Sequence, residues 1–168
     1  MSWKARSISA STLAAEYVVG AHDFFEKVVN LCTRLHESAT ERGDVRQQAA
    51  CAALWAVMVT ATESSSLSEG DRKTLLPLVL KAYLPYWEKH CGPRTPPHEC
   101  YARYLQRRDP DSHLRTAVAI VESLFEVLNA PATTRSSFSR MFSALFAHRI
   151  LNDVQYFNEI KANYTIVV

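Results

Sequence analysis

With 168 residues and a mass of 19.0 kDa, the chain has the size of one ordinary globular domain. Its 48% hydrophobic and 21% charged residues exclude disordered and collagen-like chains, and its four glycines disfavour hairpin-rich all-β folds. The 19 basic and 17 acidic side chains nearly balance, so the net charge of +2 does not require a polyanionic partner.

The first predicted helix covers residues 11–42, after a flexible N-terminal arm over residues 1–10. It carries two apolar stripes, one formed by Tyr17, Ala21, Phe24, Val28, Leu31 and Leu35 and the other by Val18, Phe25 and Cys32. Two stripes require two neighbours. A helix of the same chain can cover one stripe, and the other requires either a further helix of the chain or a second copy of the chain. We expect the second copy, which predicts a homo-oligomer; if the later helices cover both stripes, the protein is a monomer.

A second helix, near residues 45–62, is predicted to be the central element of the fold. Residues 49–59 (AACAALWAVMV) include no charged or polar side chain. A helix that is apolar on every face must be enclosed by other elements. We therefore expect Leu54, Trp55 and Met58 to be buried.

The third helical region begins near Ser68 and contains Pro77 and Pro85. Proline removes a backbone donor and clashes with the preceding turn, so the sequence predicts a short helix followed by a kinked one. A kink exposes side chains that a straight helix covers. The aromatic residues beside the second proline are therefore predicted to form a protein interface, because Tyr and Trp are enriched at interfaces. These residues are Tyr83, Tyr86 and Trp87.

The second half of the chain predicts further helices. After a proline-rich loop over residues 92–97, a short helix covers residues 98–108, and another begins with Asp109 and Pro110. The apolar positions of that helix keep helical spacing: Leu114, Ala117, Val118, Val121, Leu124, Phe125 and Leu128. The last apolar region is expected to break at Asn152 and Asp153, and residues 165–168 form a short C-terminal tail with no predicted partner. Residues 1–168 are thus predicted to form a single compact all-α bundle of about six or seven helices.

Four possible zinc ligands surround the proline-rich loop: His90, Cys91, His98 and Cys100. Their spacing matches no established zinc-binding pattern, and adjacent residues such as His90 and Cys91 rarely face one ion. The competing interpretation is a solvent-facing loop with incidental His and Cys residues. No metal or other cofactor is predicted, and these four residues are the candidates for metal ligands.

An arginine- and tyrosine-rich segment suggests a second function, the binding of RNA or DNA. Arginine contacts phosphates and tyrosine stacks on bases. The competing interpretation is a solvated helix end, where basic side chains suit the helix dipole. The candidate residues are Tyr101, Arg103, Tyr104, Arg107, Arg108 and Arg115.

The predicted function is non-enzymatic, because the sequence contains no nucleophile elbow, no Gly-rich phosphate loop and no H-E-x-x-H motif. We expect a helical interaction or assembly protein that binds another protein or itself. Nucleic-acid binding is the alternative, and an enzyme or metal-binding site assembled from distant helices is the third possibility.

The expected location is cytoplasmic. No stretch approaches the ~18 uninterrupted apolar residues of a membrane span, and the first residues lack the hydrophobic part of a secretory signal. Cys32 and Cys51 lie within apolar helical patterns, where a reduced thiol acts as a small core residue.

Overall fold

The computed structural model describes residues 6–35, 43–92, 97–109 and 111–168, with the backbone alone at 33–35, 43–47, 90 and 97–101. The elements are β1 (Arg6–Ser9), α1 (Ala10–Gly20), α2 (His22–Leu35), α3 (Gly43–Ser64), α4 (Glu69–Cys91), α5 (Pro97–Gln106), α6 (His113–Val127), α7 (Ala132–Asn163) and β2 (Tyr164–Val167). The predicted all-α bundle of about six or seven helices is confirmed, with a short sheet in addition. No helix in these ranges is both long enough and apolar enough to cross a membrane.

The central element is α3, as the sequence predicts. Every side chain over residues 49–62 is buried, including Leu54, Trp55 and Met58. The helix packs against α2, α4, α5, α6 and α7. Its many alanines let these neighbours approach closely, and Trp55 fills space by stacking on Tyr83 of α4, with ring centroids 5.7 Å apart.

The predicted first helix is in fact two helices, because the backbone turns at Ala21 between α1 and α2. Since α1 packs against α4 and α2 packs against α3, the turn lets the apolar stripes reach different neighbours. Tyr17 and Phe24 of the first stripe are buried, as are Phe25 and Cys32 of the second. Both stripes are covered largely within the chain, so neither supports the predicted homo-oligomer.

The helix α4 runs unbroken through both prolines, so the predicted division of this region into two helices is wrong. Pro77 and Pro85 are exposed. On an exposed face, water can bind the carbonyl groups that a proline leaves without a donor, and the helix continues. The buried face carries apolar side chains four residues apart: Leu75, Val79, Tyr83 and Trp87.

The predicted boundaries of the last two helices also require correction. The N-cap of α6 is Ser112, not Asp109, because the Ser112 hydroxyl accepts a hydrogen bond from the backbone N–H of Arg115 at 3.2 Å. The helix α7 is continuous through Asn152 and Asp153, where the sequence predicts a break.

Asp153 belongs to a buried polar network that joins α7 to α1. Its Oδ2 accepts a hydrogen bond of 2.7 Å from the Tyr17 hydroxyl, and the Arg149 Nε lies 2.9 Å from its Oδ1. The Arg149 guanidinium also lies over the Phe24 ring and donates to the carbonyl of Gly20 at the end of α1. Burial raises the pKa of Tyr17 and of Asp153, although the positive charge of Arg149 opposes the rise for Asp153.

Residues near the two ends of the sequence form a parallel two-stranded sheet. Arg6 pairs with Tyr164, and Ser9 pairs with Val167. Ser9 is also the N-cap of α1, because its hydroxyl accepts a hydrogen bond of 3.1 Å from the Thr12 N–H. The expected flexible arm is therefore wrong for residues 6–10, and the expected tail without a partner is wrong for residues 165–167. Residues 1–5 lie outside the described part of the chain.

Candidate functional site

The predicted aromatic interface lies inside the bundle. Tyr83 is 0% exposed, Trp87 is 1% exposed and Tyr86 is partly buried. The Tyr83 hydroxyl donates to the carbonyl of Cys51 in α3 at 2.6 Å, and burial raises the pKa of this tyrosine well above its ordinary value. Tyr86 packs edge-on against Phe25 of α2, with ring centroids 4.8 Å apart. The prediction of an exposed interface here is therefore wrong, because α4 turns these side chains inward and its prolines outward.

One of the four candidate metal ligands, Cys91, has a described side chain. It is a partly buried, free cysteine. The side chains of His90, His98 and Cys100 lie outside the described residues. Among the side chains that are described, no group of three or more His, Cys, Asp or Glu residues could hold a metal ion. A metal site at the proline-rich loop stays a prediction.

The arginines considered for nucleic-acid binding are mostly paired with acidic side chains. The ion pairs are Arg107–Glu126 at 2.8 Å, Arg108–Glu63 at 2.5 Å and Arg115–Asp109 at 3.2 Å. Arg103 is exposed. The hydrogen bond from Arg107 and, to a smaller extent, the charge of Arg103 hold the pKa of Glu126 below its usual range.

The tyrosines of the same segment do not add a stacking surface. Tyr104 is 1% exposed, and its hydroxyl donates to the carbonyl of Ala49 at 3.4 Å, so its ring cannot stack on a base. The side chain of Tyr101 lies outside the described residues. Ion pairing and burial thus remove much of what a nucleic-acid surface requires, and this alternative stays a prediction.

A groove with a volume of about 680 Å³ lies between α6 and α7 and is a candidate binding site. Val121 and Phe125 of α6 line it and are buried. Leu114 and Val118, about two turns and one turn before Val121 on α6, also line it and are 60% and 37% exposed. The groove therefore combines a buried apolar floor with an exposed apolar rim, which we call the α6–α7 groove.

The α7 wall of this groove carries small side chains. Ser136, Ser139, Ser143 and Ala144 line it at intervals that place them on one face of the helix. Small side chains let another backbone approach a helix closely. The α6 lining extends from Leu114 to Glu126, which corresponds to ~18 Å along a helix axis.

The two walls of the α6–α7 groove differ in charge. The α6 wall carries Glu122 and Glu126, whereas the α7 wall carries Arg135 and Arg140. Glu126 is paired with Arg107, and Glu122 forms no ion pair with any described residue. The groove is therefore acidic on one side and basic on the other.

Sequence reasoning missed this groove, although a signal for it was present. Leu114 and Val118 belong to the apolar stripe predicted for this helix, and a stripe does not show which of its members lack a neighbour. The serines at 136, 139 and 143 break the apolar pattern at the start of α7. Together, exposed apolar side chains on one helix and small polar side chains on the next indicate a helix pair that is incompletely closed.

Comparisons with protein-family models, with curated proteins and with solved structures found no match, so no relative assigns a function to these residues.

Proposed function

We propose that this protein is a non-enzymatic interaction protein that binds an amphipathic α-helix of another protein in the α6–α7 groove. The observation that carries the proposal is the exposed rim of Leu114 and Val118 beside a buried apolar floor. An apolar groove of this kind between helices is a common docking site for a partner helix, which inserts side chains spaced three and four residues apart.

The shape of the groove favours a helix as the occupant. Leu114 and Val118 are one turn apart, so they match two successive turns of a helix laid along them. The small residues on the α7 wall leave room for a partner backbone. An ~18 Å groove accommodates about 12 residues of helix, or a little over three turns.

The charges of the groove favour one orientation of that helix. The α6 wall attracts basic side chains through Glu122, and the α7 wall attracts acidic side chains through Arg135 and Arg140. The expected partner helix therefore has leucine-like residues along its centre, lysines or arginines on one flank and glutamates or aspartates on the other.

A synthetic helical peptide of this design tests the proposal directly. Fluorescence anisotropy measures its binding to the wild-type protein, to Leu114→Gln and to Val19→Gln. Val19 is the matched control, because it is 74% exposed on α1 and does not line the groove. Burying the exposed part of a leucine contributes on the order of 1–2 kcal/mol, so Leu114→Gln is expected to weaken binding about tenfold or more. Val19→Gln is expected to leave it unchanged.

Two further arms separate the alternatives. A peptide with glutamine in place of the charged residues on both flanks is expected to bind more weakly than the designed one, since it loses the attraction to Glu122, Arg135 and Arg140. Light scattering measures the mass of each variant over a hundredfold concentration range. A dimer lost in Leu114→Gln but kept in Val19→Gln would assign the groove to a second copy of the chain and overturn the proposal, as would equal peptide binding by both variants.

A further inference from the structure

A second cavity lies at the opposite side of α6 from the groove just described, and its lining is polar. It has a volume of about 300 Å³ and is enclosed by the end of α3, the beginning of α4 and the turn between α5 and α6. Its lining includes Thr60 and Glu63 of α3, Arg72 of α4, and Arg108 and Asp109 of the turn. We call it the polar cavity.

Arg72 brings a positive charge into the polar cavity without a carboxylate to balance it. Its Nη1 donates to the backbone carbonyl of Glu63 at 2.8 Å, near the end of α3. Its Nε is buried and has no hydrogen-bond partner, and no described acidic side chain forms an ion pair with it. Burying a guanidinium with an unpaired N–H costs free energy, unless a negatively charged group accepts a hydrogen bond from it.

Thr60 provides a second unused polar group in the same cavity. The residue is 4% exposed, and its hydroxyl has no hydrogen-bond partner. The usual partner of a threonine inside a helix is the carbonyl one turn earlier, as Thr62 shows by donating to Met58 at 2.8 Å. Thr60 makes no such bond and instead lines the cavity.

The acidic side chains of the cavity are already balanced by other arginines. Glu63 pairs with Arg108 at 2.5 Å, and Asp109 pairs with Arg115 at 3.2 Å. A hydrogen bond from the Asp111 N–H, together with Arg115, holds the pKa of Asp109 below its usual range, so this carboxyl stays ionised near neutral pH. Among the described residues that line the cavity, Arg72 is therefore the arginine without a carboxylate partner.

We propose that the polar cavity is a binding site for a small oxyanion, a phosphate or carboxylate group that accepts hydrogen bonds from Arg72 Nε and from the Thr60 hydroxyl. Both groups are unused donors, and an oxyanion accepts from a guanidinium and a hydroxyl at once. The volume admits inorganic phosphate or the charged end of a larger ligand. The site is independent of the α6–α7 groove and does not require that groove to bind a helix.

Thermal unfolding with added sodium phosphate, sodium acetate or sodium chloride at one ionic strength and pH 7 tests the site. Phosphate or acetate is expected to raise the melting temperature in a saturable way relative to chloride. A response to phosphate alone assigns a phosphate ligand, and a response to both assigns any oxyanion. The absence of a saturable response to either anion overturns the proposal.

Three variants make the test specific. Arg72→Gln is expected to abolish the anion response, whereas Lys73→Gln, which removes an exposed charge of the same sign from the neighbouring position, is expected to keep it. Thr60→Val is expected to fold normally, because it replaces an unpaired buried hydroxyl with a methyl group of similar size, and to weaken anion binding about tenfold. Equal anion affinity in Thr60→Val and wild type, or an equal loss in Lys73→Gln and Arg72→Gln, overturns the proposal.

Discussion

The hydrogen bond between Tyr17 and Asp153 is expected to be a measurable contribution to stability. It joins residues 136 positions apart, both nearly buried, at 2.7 Å. The change Tyr17→Phe removes the hydroxyl but keeps the ring, which packs edge-on against Phe157 with centroids 4.6 Å apart. A hydrogen bond to a charged acceptor contributes about 1.5–3 kcal/mol, so Tyr17→Phe is expected to lower the free energy of unfolding by that amount.

Urea unfolding followed by circular dichroism measures this change, and a double-mutant cycle shows that it arises from the pair. In an Asp153→Asn background, Tyr17→Phe is expected to cost about 1 kcal/mol less than in the wild type. Tyr156→Phe is the control, because Tyr156 stacks beside Tyr17 at 6.0 Å and is only partly buried, and it is expected to change stability by less than about 0.5 kcal/mol. Additive effects in the cycle, or a Tyr17→Phe cost no larger than that of the control, would refute the reasoning.

Three further outcomes are expected. Burial raises the pKa of Asp153 above its value in the unfolded chain, so the folded chain binds this proton more tightly. Stability is therefore expected to fall as the pH rises from the unfolded to the folded pKa. The melting temperature of the wild type minus that of Asp153→Asn should fall over the same pH range. Trp55→Ala is expected to cost about 3–5 kcal/mol in urea unfolding, since it opens a cavity in the most enclosed helix, and a melting temperature within a degree of wild type would contradict this. Because most arginines of residues 101–115 are ion-paired, the protein is not expected to change the mobility of RNA or DNA in gel electrophoresis at low ionic strength. A salt-dependent mobility shift that Arg103→Glu abolishes would establish nucleic-acid binding instead.

The central position of α3 could be predicted because the signal is local. Residues 49–59 include no polar side chain, so every face of this helical segment is apolar and must be buried, whichever elements surround it. The buried Cys32 and Cys51 follow from the same kind of pattern. Features that depend only on the composition of one helix are therefore readable from the sequence.

Features that depend on a distant partner could not be predicted in this way. Adjacent polar residues such as Asn152 and Asp153 often mark the end of a helix. Here the helix continues, because Tyr17 and Arg149 bind the Asp153 carboxylate inside the fold. The bend at Ala21 could not be predicted from the spacing of apolar residues either, because the apolar stripes continue across it. Both errors arise from contacts between elements far apart in the chain.

The candidate site was missed for a related reason. Aromatic residues near a proline suggested exposure, but Tyr83 and Trp87 lie one turn apart on the face opposite Pro85. Conversely, Leu114 and Val118 fit an apolar stripe and yet remain exposed at the rim of the α6–α7 groove, whose α7 wall carries serines. Which apolar side chains stay uncovered is a property of helix pairs, and a single helix pattern does not contain it.

The parallel pairing of β1 with β2 bears on the order in which the chain is completed during synthesis. The first strand, Arg6–Ser9, has no partner until Tyr164–Val167 has been made. At ~5–20 residues per second, that interval is roughly 10–30 s, far longer than helices and hairpins need to form. The sheet therefore cannot form until the helices α1 to α7, which lie between its two strands, have all been synthesised.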